Sequence, residues 1–247
     1  MRVIALLALL ALLPVTAAAQ GGDPRPVEPS SALEVGLDAA WEQAGPLDGA
    51  QGGLQIAGRV ALDPRVELGA GWGVRASGAW LEDGAGRARA GLPPLRVWIG
   101  TGDAFGDWRL GLRLEGGVSP SLLDAPEVSS NGEHGYLALT GEALVVTELW
   151  RGRVALTVAA AYAGELAFAG IGRLRAAVEL GPTAWPVRPY ALVVAAVATD
   201  LGLAGRPGVG LVADLDAGAL AVEVLGPNGA TGELVTLALV WRLGLFA

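Results

Sequence analysis

The chain has no cysteine, no lysine and a single histidine, His134, in 247 residues. Without cysteine it can form no disulfide and offers no thiolate nucleophile, and no lipid-modified cysteine anchor is expected. Positive charge is scarce as well: 17 basic residues, all Arg, face 25 Asp and Glu, a formal net charge of −8. Such an acidic chain is a poor partner for nucleic acid, whose binding rests on Lys and Arg neutralising phosphates. Long apolar runs are missing too. Beyond the N-terminus the longest is YALVVAAVA, Tyr190 to Ala198, about half of what a membrane helix needs, so helical spans are excluded.

What is present is apolar in bulk, with 52% hydrophobic residues and 38 glycines. The first residues, MRVIALLALLALLPVTAAAQ, carry a basic start at Arg2, an apolar core from Val3 to Leu13, a break at Pro14 and small residues at Ala17 and Ala19. This is the layout of a secretory signal peptide, expected over residues 1–19. Residues 20–30, QGGDPRPVEPS, are Pro-rich and polar and are expected to form a disordered periplasmic lead-in.

From residue 31 to 247 apolar residues alternate with charged or small ones. In WRLGLRLEGGV, Trp108, Leu110, Leu112, Leu114 and Val118 take one parity, and Arg109, Arg113 and Glu115 the other. A period of two sends successive side chains to opposite faces of a strand. The pattern predicts twelve strands, at 31–41, 53–62, 65–77, 94–101, 107–118, 135–149, 153–163, 171–181, 188–199, 207–216, 218–225 and 233–246. The gaps alternate long (42–52, 78–93, 119–134) and short (63–64, 102–106, 150–152) through the first half. Trp98, Trp108, Trp150, Trp185, Tyr190 and Phe246 fall near one set of strand ends and Trp41, Trp80, Tyr136 and Tyr162 near the other, as interfacial girdles would, while Trp72 lies mid-strand.

These features resemble those of bacterial outer-membrane β-barrels, with short periplasmic turns, longer outer loops and an even strand number. The last segment, ELVTLALVWRLGLFA, is similar to the C-terminal strand that barrel-assembly machinery recognises in that family, although it ends in Ala247 and not in the aromatic. The resemblance implies an all-β fold, a single closed antiparallel transmembrane barrel in the outer membrane of a Gram-negative bacterium. It implies outer-membrane lipid and lipopolysaccharide as surroundings and both chain ends on the periplasmic side. Closure is expected by pairing 233–246 with 31–41, with Leu33, Leu110, Leu112, Leu239 and Trp241 facing lipid.

No stretch carries the signature of an enzyme or a cofactor site. GAGWG (Gly69 to Gly73) and GRPGVG (Gly205 to Gly210) lack the following helix that a phosphate cradle needs. A Ser-His hydrolase would have to use His134 with Ser129, Ser130 and Glu133, all in one predicted outer loop, where nothing holds them at attack geometry. Loop acids such as Glu42, Asp48, Glu82, Asp83, Asp124 and Glu127 lack metal-ligand spacing. Asp214 and Asp216 share the lumen parity of their strand and are expected to pair with Arg there. No cofactor is expected.

Charges on the lumen parity cluster near the periplasmic strand ends. Arg109, Glu148, Arg153 and Glu179, joined across the seam by Glu34 and Arg242 and extended by Arg59, Arg65 and Glu67, are expected to form a constriction of opposite charges. Small residues such as Ala57, Gly71, Gly73, Ala138, Thr140, Ala159 and Ala161 would line an outer funnel. The reading that follows is a narrow, weakly selective channel for small polar solutes. A non-conducting structural, adhesion or assembly barrel comes second and a lipid hydrolase third.

Overall fold

The structure is a computed structural model and describes residues 29–44, 47–81, 86–118, 135–162, 168–182, 184–198, 202–215, 218–227 and 233–244. The described residues hold thirteen strands and no helix: β1 (Ala32–Ala44), β2 (Leu47–Asp63), β3 (Val66–Leu81), β4 (Gly86–Gly91), β5 (Leu95–Phe105), β6 (Trp108–Val118), β7 (Gly135–Val146), β8 (Trp150–Tyr162), β9 (Phe168–Leu180), β10 (Val187–Ala198), β11 (Gly202–Leu215), β12 (Gly218–Leu225) and β13 (Glu233–Gly244). Neighbours pair antiparallel, and β1 pairs with both β2 and β13, which closes the sheet. The expected seam is present, with Leu33 opposite Leu243 and Trp41 opposite Val235.

The closed barrel has twelve staves, because β4 and β5 share one. β3 pairs with β5 over Val66–Gly71 and with β4 over Arg75–Trp80. Pro93 and Pro94 fall in the break between β4 and β5, where no ladder bond needs their missing N–H groups. The indole of Trp72, which fits no interfacial girdle, donates across the break to the Pro93 carbonyl at 3.2 Å.

Alternation sorts the two faces. Along β6, Trp108, Leu110, Leu112 and Leu114 point outward and are 44–53% exposed, while Arg109, Arg113 and Glu115 point inward. The same outward belt continues through Ile56, Val97, Leu139, Leu156, Val193 and Leu237. Leu33 and Leu239 share its parity and are partly covered, and Trp241 is exposed. An apolar wall running all round a barrel is stable only against lipid.

Both ends of the described chain lie at one rim, here the near end, together with tight turns. Pro64 and Arg65 turn β2 into β3, with the Arg65 N–H donating to Asp63 Oδ1. Gly106 and Asp107 turn β5 into β6, and Gly106 has φ 63°, which a two-residue hairpin demands. At the far end the strands run further than the sequence pattern indicates. The expected loop at 42–52 is mostly ladder, with Gln43 opposite Asp48 and Ala44 opposite Leu47, and much of 78–93 is the end of β3 and β4. Polar, Gly-rich residues in those stretches hide the alternation.

Three aromatic side chains expected in the girdles point into the bore instead. Trp98, Tyr136 and Tyr190 each lie over a glycine directly opposite on the next strand, respectively Gly69, Gly117 and Gly210. A Cβ at any of the three would sit 2.0–2.2 Å from a ring carbon. Gly210→Ala is therefore expected to destabilise the barrel by about 1–3 kcal/mol through forced displacement of Tyr190, measured by urea titration of the protein refolded in lipid vesicles. Gly58→Ala meets nothing within 4 Å and serves as the silent control. Trp41 and Trp80 remain on the outside, edge to face with ring centroids 5.3 Å apart, and Trp108, Trp150 and Trp185 are exposed.

Candidate functional site

Closing the sheet encloses a bore, so the inward residues are the candidate site. Near the near end, Arg59 on β2 lies 3.1 Å from Glu34 on β1 and 3.6 Å from Glu67 on β3. Glu67 also accepts from Trp98 Nε1 at 3.3 Å and lies 3.8 Å from Arg113 on β6, whose guanidinium sits 5.5 Å from the Trp98 ring centroid. Glu34 is directly opposite Arg242 across the seam, and Arg242 donates to Ser30 Oγ at 2.8 Å. Glu34, Arg59, Glu67 and Arg242 of the expected constriction thus meet on one wall.

The other expected members are dispersed. Arg153 pairs with Glu142 at 2.8 Å, not with Glu148, which lies exposed in the turn after β7. Glu179 binds Arg188 at 3.0 Å and lies 3.9 Å from Arg151. Arg65 is exposed and pairs with Asp103 at the β2–β3 turn, and Arg109 donates to the carbonyls of Gly106 and Trp108. Glu148 and Arg65 stand at turns because β7 ends three residues before, and β3 begins one residue after, its sequence-based boundary, which removes a terminal charge from the lumen parity. Asp214 receives two bonds from Arg188, at 2.6 and 3.1 Å. Asp216, Ser129, Ser130, Glu133, His134, Phe246, residues 1–28 and the loop acids Glu82, Asp83, Asp124 and Glu127 lie outside the described residues.

Deeper in, the bore is bridged. Arg175 on β9 reaches past two intervening strands to Glu223 on β12, with contacts of 2.6 and 3.3 Å, and Tyr190 donates to the same carboxylate at 3.1 Å. Arg206 on β11 donates to Thr236 on β13 at 2.9 Å, and Arg96 on β5 to Gln55 on β2 at 3.0 Å. Arg175 is 5% and Glu223 2% exposed. Two charges so thoroughly removed from water are tolerable only as a bonded pair.

The two sides of the bore differ. On β10 to β12, Tyr190, Leu192, Val194, Val212, Ala221 and Leu225 form a buried apolar cluster that faces inward. Leu192 and Leu225 fill the space over Gly208. On β5 to β8 the inward polar side chains are less covered: Arg96, Arg113, Thr140, Glu142, Arg153 and Thr157 all retain partial access to solvent, whereas the inward Arg188, Arg206 and Glu223 of β10 to β12 are buried. The small residues expected to line a funnel are not bare. Ala57, Ala138 and Ala159 are buried, and Arg96 passes over Gly71. Among the described residues no three His, Asp or Glu side chains converge as a metal site.

No protein-family model matches the chain, and no curated protein matches its sequence. Solved structures do match in shape. An outer membrane channel from Pseudomonas putida superposes with a TM-score of 0.62 at 11% identity, over 91% of this chain and 98% of the other. The beta domain of the Bordetella autotransporter BrkA gives 0.60 at 17% identity, over 87% and 100%. The translocator domain of the autotransporter NalP from Neisseria meningitidis gives 0.54 at 14%, over 97% and 96%. The chain has the fold of a bacterial outer-membrane β-barrel. The fold alone does not choose among channel, translocator and other roles, since unrelated functions share it. The choice rests on the bore.

Proposed function

We propose that the protein is an outer-membrane channel of narrow bore that passes small polar solutes, with its near end in the periplasm. The observation that carries this reading is the asymmetry of the interior. A packed apolar cluster occupies the β10–β12 side, where the charged residues are buried, and partly solvent-exposed polar side chains recur as a band along the inward face of β5 to β8. A barrel evolved only as a solid rod gains nothing from keeping Arg113, Glu142 and Arg153 within reach of water. The second reading, a non-conducting barrel, is favoured by the Arg175–Glu223 bridge, which spans from β9 to β12 over the two strands between them and fills part of the bore.

Planar-bilayer recording separates the two. The refolded full chain is expected to give small, steady unitary conductances. Arg113→Ala, which removes a long side chain from the band, is expected to enlarge them. A barrel that inserts, as judged by heat-modifiable electrophoretic mobility and protease resistance, and still passes no current would support the filled reading.

A further inference from the structure

The charge of the band is opposite in sign to that of the chain. Every inward ionisable residue on β5 to β8 can be named: Arg96, Arg109, Arg113, Arg151 and Arg153 against Glu115 and Glu142. The molecule as a whole carries −8. Excess acid therefore lies elsewhere, as with Asp63, Asp103, Asp107 and Glu148 at the near-end turns. The two acids on the band are engaged there, Glu115 by the Tyr136 hydroxyl and Glu142 by Arg153 at 2.8 Å. Positive charge extends across the strands, since Arg96 and Arg113 reach from β5 and β6 over the intervening strand to Gln55 on β2 and Glu67 on β3.

We infer that the bore selects small anions, which pass along the β5–β8 side. This inference rests on the channel reading. A narrow passage with low-dielectric walls focuses the field of its lining charges, so an excess of guanidinium groups concentrates anions and repels cations. Arginine suits the task because its charge is permanent and its fork of donors can hand a carboxylate, phosphate or halide from one site to the next. On the other side the inward charges of β10 to β12, Arg188, Arg206 and Glu223, are buried and bonded to Asp214, Thr236 and Arg175. Screening inside such a bore is incomplete, so the preference should persist at moderate salt.

The test is the reversal potential of the full-length protein in a planar bilayer under a tenfold KCl gradient. Wild type is expected to reverse toward the chloride equilibrium potential. Arg96→Gln, whose partner Gln55 is neutral and is left with no orphaned charge, and Arg151→Gln, whose partner Glu179 keeps Arg188, are each expected to lower the chloride-to-potassium permeability ratio about twofold. Glu142→Gln is expected to raise it. Replacing chloride by gluconate tests size and should cut the current. A conducting barrel that reverses toward potassium, or whose ratio is unmoved by all three substitutions, overturns the anion assignment and leaves the channel reading standing. A correctly inserted barrel without current overturns both.

Discussion

Glu223→Ala is expected to be among the most damaging single substitutions, costing about 3–5 kcal/mol, because it leaves the Arg175 guanidinium buried without its carboxylate. The same change removes the nearer of two acceptors of the Tyr190 hydroxyl, leaving the Val222 carbonyl at 3.4 Å. The paired replacement Arg175→Met with Glu223→Leu should recover most of the loss, since similar volume is restored with no charge to desolvate. Urea-induced unfolding in lipid vesicles measures both. If the single and double variants are equally unstable, packing and not charge pairing is what the bridge supplies. If Glu223→Ala is harmless, water reaches this depth and the bore is wider than described.

Leu112→Arg is expected to cost about 2–4 kcal/mol, the penalty for a guanidinium on the lipid face near the middle of a strand. Leu112 is 49% exposed on the outer wall of β6, and its neighbour Gly111 points inward, opposite Glu142 on β7. Arg at Gly111 finds a carboxylate across the ladder and should be tolerated far better. Refolding titrations of the two variants report the difference directly. Equal penalties would mean that the two faces have been exchanged or that neither meets lipid.

The faces of most strands were readable from the sequence because lipid imposes a strict rule on every second residue. WRLGLRLEGGV obeys it in full. Where the rule relaxes, legibility falls. YALVVAAVA is apolar on both parities, because Leu192 and Val194 face a packed interior and Val193 faces outward, so its inner wall reads as lipid-facing or not at all. Beyond the apolar belt both faces of a strand meet water, and the far ends of β1 to β3 look like loop. The placement of Trp98 and Tyr190 was available in principle, since they share parity with Arg96 and Arg188. Their glycine partners Gly69 and Gly210 are the second half of that signal.

The candidate site was less legible for a topological reason. Adjacent-strand pairs such as Glu34 with Arg59 follow from antiparallel order and strand ends. Arg175 with Glu223, Arg113 with Glu67 and Arg96 with Gln55 skip at least one strand. Those contacts depend on how far a side chain reaches across the bore, which period-two reasoning does not contain. Arg113, Glu142, Arg175, Arg188 and Glu223 all stand on the inward parity of their strands, yet nothing in the alternation distinguishes a bridging charge from one that stays against its own wall.

The absence of native cysteine allows the one-sided bore to be probed residue by residue. Three single-cysteine variants, Thr157→Cys on the partly exposed band, Val212→Cys in the apolar cluster and Leu112→Cys on the outer wall, would be reconstituted in vesicles and exposed to a small, charged, water-soluble thiol reagent. Thr157→Cys is expected to react readily, while Val212→Cys stays silent and Leu112→Cys reacts only with a lipid-soluble maleimide. Rapid labelling of Val212→Cys, or protection of Thr157→Cys equal to it, would contradict a bore packed on one side and wet on the other.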